Sequence, residues 1–149
     1  MRRQDGFTLV ELLVVMTISV VAVGVIPFAY GKLREVIDYQ DAVRTVATEL
    51  RTARYLAVST GQTSRFDLNL KDRQFGVNGH MTRKLPDHVD VIANVASREV
   101  AGNGNVGIVF LPEGGATGGS LKMVRRSGGG ETITVDWLTG QISNASLQP

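Results

Sequence analysis

From Leu12 to Gly31 the chain carries no charged residue; the run LLVVMTISVVAVGVIPFAYG is dominated by Val, Leu and Ile. Twenty residues of helix span about 30 Å, the thickness of a bilayer core. The pattern predicts a helix that is apolar on every side over residues 7–31, with Pro27 expected to kink or loosen it. Beyond Lys32 the polarity returns but a helical period persists. Leu33, Val36/Ile37, Val43, Val46/Ala47, Leu50, Ala53 and Leu56/Ala57 recur at steps of three and four, with a gap at Gln40. Arg34, Asp38, Asp41, Arg44, Glu49, Arg51 and Arg54 occupy the positions between them. Residues 32–60 therefore read as an amphipathic continuation of the same helix, stopped at Gly61.

From residue 61 onward the period changes to two. Phe66, Leu68 and Leu70 alternate with Asp67 and Asn69, ahead of a Lys71-Asp72-Arg73 turn and a short Gln74–Val77 segment. Val89, Val91, Ala93 and Val95 alternate next, and Val106–Leu111 is an apolar run ended by Pro112. Leu121 and Met123, then Ile133, Val135 and Trp137, then Ile142 continue the pattern, and Thr139-Gly140 reads as a hairpin turn. Glycine marks the same division. Of 17 glycines, only Gly6, Gly24 and Gly31 precede residue 61, whereas 102–107, 114–119 and 128–130 are glycine-rich connectors. The expected fold class is α+β: one long N-terminal helix packed on a β-rich domain of antiparallel sheet over residues 61–149. Strand order and register are beyond the pattern.

A chain of 149 residues suffices for one modest domain with its own core. The absence of Cys excludes disulfide scaffolds and thiolate metal sites. Lys+Arg 16 against Asp+Glu 14 gives a formal charge of +2, too weak a field to point to nucleic acid. Charge placement says more than its sum. Only Arg2, Arg3, Asp5 and Glu11 precede the apolar run. A cleaved secretory signal has a shorter apolar stretch followed by small residues at the cut. Here the run is long, Glu11 stands at its start and no A-x-A-like site follows, so a retained membrane helix is the better reading. Arg2 and Arg3 favour a cytoplasmic N-terminus.

Gly6-Phe7-Thr8-Leu9-Val10-Glu11-Leu12-Leu13 joins a small residue, an aromatic and a lone acid to that helix. A carboxylate at the centre of a membrane helix costs on the order of 2.5–3.5 kcal/mol on insertion scales, unless a cation accompanies it or it reaches water at the surface. This segment resembles the class III leader of type IV pilins and type II secretion pseudopilins. The resemblance implies that a prepilin peptidase cuts between Gly6 and Phe7, removing residues 1–6, and methylates the new N-terminal Phe7. The leader's loss would lower the formal charge from +2 to +1, since Arg2, Arg3 and Asp5 leave with it. Asp5 departs from the family's usual basic or neutral neighbour. The resemblance gives Glu11 an assembly role, pairing with the N-terminal amine of a neighbouring subunit.

Towards the C-terminus, Ile108-Val109-Phe110-Leu111-Pro112-Glu113-Gly114, Gly118-Gly119-Ser120-Leu121 and Val135-Asp136-Trp137-Leu138-Thr139-Gly140-Gln141-Ile142 are similar to the signature of H-type minor pseudopilins, which often have Asp where Glu113 stands. These residues read as fold maintenance, without an active site. The resemblance implies a structural subunit near the tip of the type II secretion pseudopilus, supporting export of folded proteins across the outer membrane. Its implied partners are other major and minor pseudopilins, prepilin peptidase and the inner membrane. The implied topology is a single-pass inner-membrane protein with its C-terminal domain in the periplasm. The alternative is a type IV minor pilin in pilus assembly or DNA uptake. Nucleic-acid binding is not expected, because residues 32–149 hold 14 basic and 12 acidic groups and Arg125-Arg126 is the one adjacent basic pair near the C-terminus.

No enzymatic chemistry emerges from the remaining motifs, and no cofactor or metal is expected. Gly102, Gly104 and Gly107 match G-x-G-x-x-G, but the VGIVFLP that follows reads as a strand where a dinucleotide site needs a helix. His80 and the Asp87-His88-Val89-Asp90 cluster read as a surface turn after Pro86. A membrane-anchored enzyme would leave Gly6, Phe7 and Glu11 coincidental and lacks a catalytic cluster.

Overall fold

The computed structural model describes residues 7–95, 104–126 and 128–147, without the side chains of 25–32. The leader with Gly6, and Gly102 of the glycine motif, lie outside the described residues. Among the described residues one helix, α1 (Leu9–Thr60), is followed by eight strands: β1 (Ser64–Asn69), β2 (Gln74–Val77), β3 (His80–Lys84), β4 (Val89–Val95), β5 (Asn105–Phe110), β6 (Gly119–Arg125), β7 (Gly130–Val135) and β8 (Ile142–Leu147). The chain forms two compact units, one up to Ile37 and one from Asp38 onward, and α1 contributes to both.

In the first unit the helix runs through Pro27 without a break. Leu33, Val36 and Ile37, expected on the apolar stripe, are exposed. In the second unit the buried stripe begins at Tyr39 and runs through Ala42, Val43, Val46, Ala47, Leu50, Ala53 and Ala57. Tyr39 and Ala42 bridge the gap that Gln40 leaves in the sequence pattern. Tyr39 was unreadable as a core residue because its hydroxyl needs a partner, which the fold supplies: it donates to the Met123 carbonyl at 3.1 Å. The Arg125 guanidinium lies 5.1 Å from the centre of its ring. Burial, reinforced by the negative charge of Glu131, pushes the phenol above its ordinary value of 10.0. Gly61 ends the helix as expected, at φ +69° with its N–H donating to the Ala57 carbonyl at 3.1 Å.

The strands form two four-stranded antiparallel sheets, ordered β3-β2-β1-β5 and β4-β6-β7-β8. Phe66, Leu68, Phe75, Ile108 and Phe110 from the first sheet and Val89, Leu121, Met123, Ile133 and Val135 from the second join the helix stripe in one buried cluster. Removing this apolar surface from water is the main force holding the second unit together. The α+β antiparallel class read from the sequence is the fold observed. Strand β3 has no alternating signature, for four of its five residues are exposed, and only pairing with β2 defines it. Trp137, expected to extend β7, instead lies in the turn beyond it.

Candidate functional site

Two regions carry the sequence signals, and each is built locally. At the front of α1, Leu12 N–H donates to the Thr8 carbonyl at 3.2 Å and Glu11 N–H to Thr8 Oγ1 at 3.3 Å. Thr8 is thus the N-cap, and Thr8-Leu9-Val10-Glu11 has the spacing of a capping box. The T-x-x-E spacing in the sequence carries the signal for this cap. It gives Glu11 a local role: a carboxylate in the first turn faces the positive end of the helix dipole. Glu11 is exposed, as is every residue from Phe7 to Gly24, with Phe7 and Leu9 each 81% accessible. An apolar surface of this extent on all sides needs a lipid or protein cover. Among the described residues no helix is long and apolar enough to cross a membrane. The far end of the apolar run has its side chains outside that set.

The second region is the turn after β7, where Asp136 organises the chain. Its Oδ1 accepts from Leu138 N–H at 3.1 Å, Thr139 N–H at 2.8 Å and Thr139 Oγ1 at 2.8 Å. The Thr139 amide, with the Thr139 hydroxyl, holds this carboxyl below its ordinary 3.8. The main chain closes the same turn: Gly140 N–H donates to the Asp136 carbonyl, and Asp136 N–H to the Gln141 carbonyl, each at 2.9 Å. Thr139-Gly140 is the hairpin turn expected. Arg54 of α1 donates through Nη2 to the Thr139 carbonyl at 3.0 Å, fastening the turn to the helix.

The other signature stretch comes to the same place. Leu111 and Gly115 close a tight turn, with Leu111 N–H donating to the Gly115 carbonyl at 2.8 Å, and Ala116 N–H donates to the Trp137 carbonyl at 2.9 Å. Residues 108–121 and 135–142 are therefore one structural assembly, which the sequence presents as separate motifs. The polar side chains of Thr117, Asp136 and Thr139 are engaged in hydrogen bonds within this assembly. Its most exposed apolar side chains are Trp137 at 67% and Leu138 at 65% accessible.

The histidine cluster does not gather. Asp87 lies 3.7 Å from Arg73 Nε, while Arg73 Nη2 donates at 2.5 Å to the carbonyls of Pro86 and Val89. His80 is exposed at the start of β3, and Asp87, His88 and Asp90 lie around the start of β4. Among the described residues no group of three or more His, Cys, Asp or Glu is placed to hold a metal ion. The residues after Gly104 form strand β5, the order that disqualifies a dinucleotide fingerprint.

Comparison with known proteins connects the two ends. The family described as Prokaryotic N-terminal methylation motif matches residues 1–26, and the family described as Type II transport protein GspH matches residues 42–140. The type II secretion system protein H of Xanthomonas campestris pv. campestris is 28% identical, over 99% of this chain and 86% of its own. The minor pseudopilin EpsH of the Vibrio cholerae type 2 secretion system superposes with a TM-score of 0.57 at 12% identity, covering 73% of this chain and 97% of EpsH. The type IV minor pilin FimU of Pseudomonas aeruginosa superposes with a TM-score of 0.51 at 17% identity, covering 73% of this chain and 97% of FimU. The pilin-like fold is common to both neighbours.

Proposed function

The chain belongs to the Type II transport protein GspH family, and from that premise we propose how it works as a minor pseudopilin of the type II secretion pseudopilus. It is a structural subunit of a filament that supports export of folded proteins, and it assembles with other pseudopilins. One observation carries the reading. A chain whose residues 42–140 match this family begins with a methylation motif, and every side chain from Phe7 to Gly24 is exposed. Such a surface suits a segment held in lipid before assembly and covered by neighbouring helices afterwards.

In this reading residues 1–6 form a leader cut after Gly6 by prepilin peptidase, and Phe7 becomes the methylated N-terminus. Residues 7–31 are the membrane and assembly segment, 32–60 its amphipathic continuation, and 61–149 the periplasmic β-rich domain. The N-terminus starts in the cytoplasm, and the domain joins the pseudopilus near its tip. Glu11 pairs with the Phe7 amine of a neighbour. Inside an apolar filament a lone carboxylate is costly, and a cation in contact offsets that cost. Intact-mass measurement on the full chain, expressed with and without prepilin peptidase, tests the processing. Loss of Met1–Gly6 with one added methyl group is expected, and a leader retained in the enzyme's presence overturns the reading.

The structural likeness to a type IV minor pilin supports a second reading, assembly into a type IV pilus, and a part in DNA uptake would require the chain to bind nucleic acid. A gel-shift with the full chain at physiological salt separates the two, and clear binding there would favour the second. The near balance of 14 basic and 12 acidic groups in residues 32–149 supports the first.

A further inference from the structure

Two four-stranded sheets present four edges, and an open edge is a row of unpaired main-chain donors and acceptors. Three of the four are managed by the protein itself. Strand β3 carries Arg83 and Lys84, and its register against β2 breaks between Phe75 and Val77. Strand β5 is covered by its own following loop: Val109 N–H donates to Thr117 Oγ1 at 3.1 Å, and Thr117 N–H donates to the Val109 carbonyl at 2.8 Å. Strand β4 contains Asp90, and Arg73 occupies its Val89 carbonyl. Strand β8 has none of these devices. Its sequence, Ile142-Ser143-Asn144-Ala145-Ser146-Leu147, is without charge or proline, and it pairs with β7 in unbroken register from Ile142 to Leu147.

The register identifies which groups are free. Asp136 N–H donates to the Gln141 carbonyl, one step beyond the Val135–Ile142 pair. Antiparallel ladders alternate, so Ser143, Ala145 and Leu147 turn their main-chain groups towards β7. Those of Ile142, Asn144 and Ser146 point away from the sheet. The β6–β7 ladder agrees: Arg125 N–H donates to the Gly129 carbonyl, so odd-numbered residues of β7 bond to β6 and even-numbered ones to β8. Among the described residues nothing bonds to the outward groups of β8, and Ser143 to Ser146 are exposed.

Resting on the pseudopilin reading, we infer that β8 is a strand-addition site, and that its occupant is an uncharged, extended segment of a different subunit in the filament. The outward main-chain groups of Ile142, Asn144 and Ser146 present the alternating donors and acceptors that an added extended strand pairs with. The lack of charge at these positions admits an uncharged strand without repulsion. A second copy of β8 fits less well. Two β8 edges would pair antiparallel about a twofold axis normal to the sheet. The helix lies across that sheet, touching it through Tyr39 to Met123 and through Arg54 to Thr139. The twofold would reverse one helix against the other, whereas subunits anchored by their N-termini in one membrane run the same way.

Residue-resolved amide exchange on the full chain tests this, alone and co-assembled with the other pilin-like chains encoded in its genome. Alone, the amides of Ser143, Ala145 and Leu147 are protected while those of Ile142, Asn144 and Ser146 exchange freely. In the assembly the even-numbered amides are expected to slow by about tenfold or more. Asn144→Pro removes an outward N–H, a position where a strand edge tolerates proline, and should weaken co-assembly about tenfold while the fold persists. Ala145→Pro, which breaks the bond to β7, provides the contrasting unfolding control. Co-assembly with the even-numbered amides still exchanging freely overturns the inference and leaves the pseudopilin reading intact. Failure of the wild-type chain to assemble overturns both. Protection that rises with concentration in the chain alone overturns it in favour of self-pairing.

Discussion

Gly140→Ala offers a direct test of whether the Asp136–Gln141 turn serves the fold. Gly140 adopts φ +61°, a left-handed conformation that costs an L-residue about 1–2 kcal/mol. A Cβ built there would lie 2.4 Å from the Gly114 carbonyl oxygen and 3.2 Å from Arg54 Nε. The first neighbour is backbone in a closed loop, so the two signature stretches must separate, at a further cost of about 1–3 kcal/mol. The total is about 2–5 kcal/mol. At about 4 °C per kcal/mol for a domain of this size, that corresponds to a fall in melting temperature of about 8–20 °C. Thermal unfolding of the full chain in detergent, followed by circular dichroism, measures it. Gln141→Ala, exposed and one position on, should stay within about 0.5 kcal/mol of wild type. A Gly140→Ala protein that melts with wild type yet fails to assemble would refute the reasoning, because the motif would then be an interface.

Three further outcomes follow from the geometry. Glu11→Val should leave processing and membrane insertion intact but reduce incorporation into the filament at least about tenfold, read by crosslinking to partner subunits; unchanged incorporation sinks the proposed amine pairing. Asp136 has a folded pKa below its ordinary 3.8, so its contribution is present above the unfolded value and lost as pH falls through the folded one. Asp136→Asn should therefore flatten the acid limb of a stability–pH profile below about pH 4, and an unchanged limb would show that the turn's bonds do not depend on the charge. Tyr39→Phe removes the donor to the Met123 carbonyl and should cost about 1 kcal/mol in urea unfolding, with no loss of helix content. A neutral result would mean that water replaces the hydroxyl.

The division between helix and sheet was legible because period is a local property. The three- and four-step recurrence from Val43 to Ala57 and the alternation at Phe66-Leu68, Val89–Val95 and Ile133-Val135 mark elements whose buried faces match. The stop at Gly61 and the turn at Thr139-Gly140 were legible for the same reason, since each depends on backbone angles that few residues adopt. Strand β3 was invisible because its residues bury almost nothing. The helix stripe was misplaced at its start, where Leu33, Val36 and Ile37 are apolar by composition yet exposed.

By itself, the sequence determined an apolar first half, an amphipathic continuation, a strand-rich domain and a lone acid beside an aromatic at the helix start. It also carried the motifs at both ends. Only the tertiary structure decided that residues 108–121 and 135–142 form one assembly pinned by Arg54, that Tyr39 anchors the helix on the second sheet, and that the outer side of β8 has no partner among the described residues. Period, capping and turn chemistry act between residues a few positions apart, so a single sequence displays them. Sheet order, cross-sheet bonds and edge exposure join residues as much as 85 positions apart, as Arg54 and Thr139 are, and come into being only when the core closes.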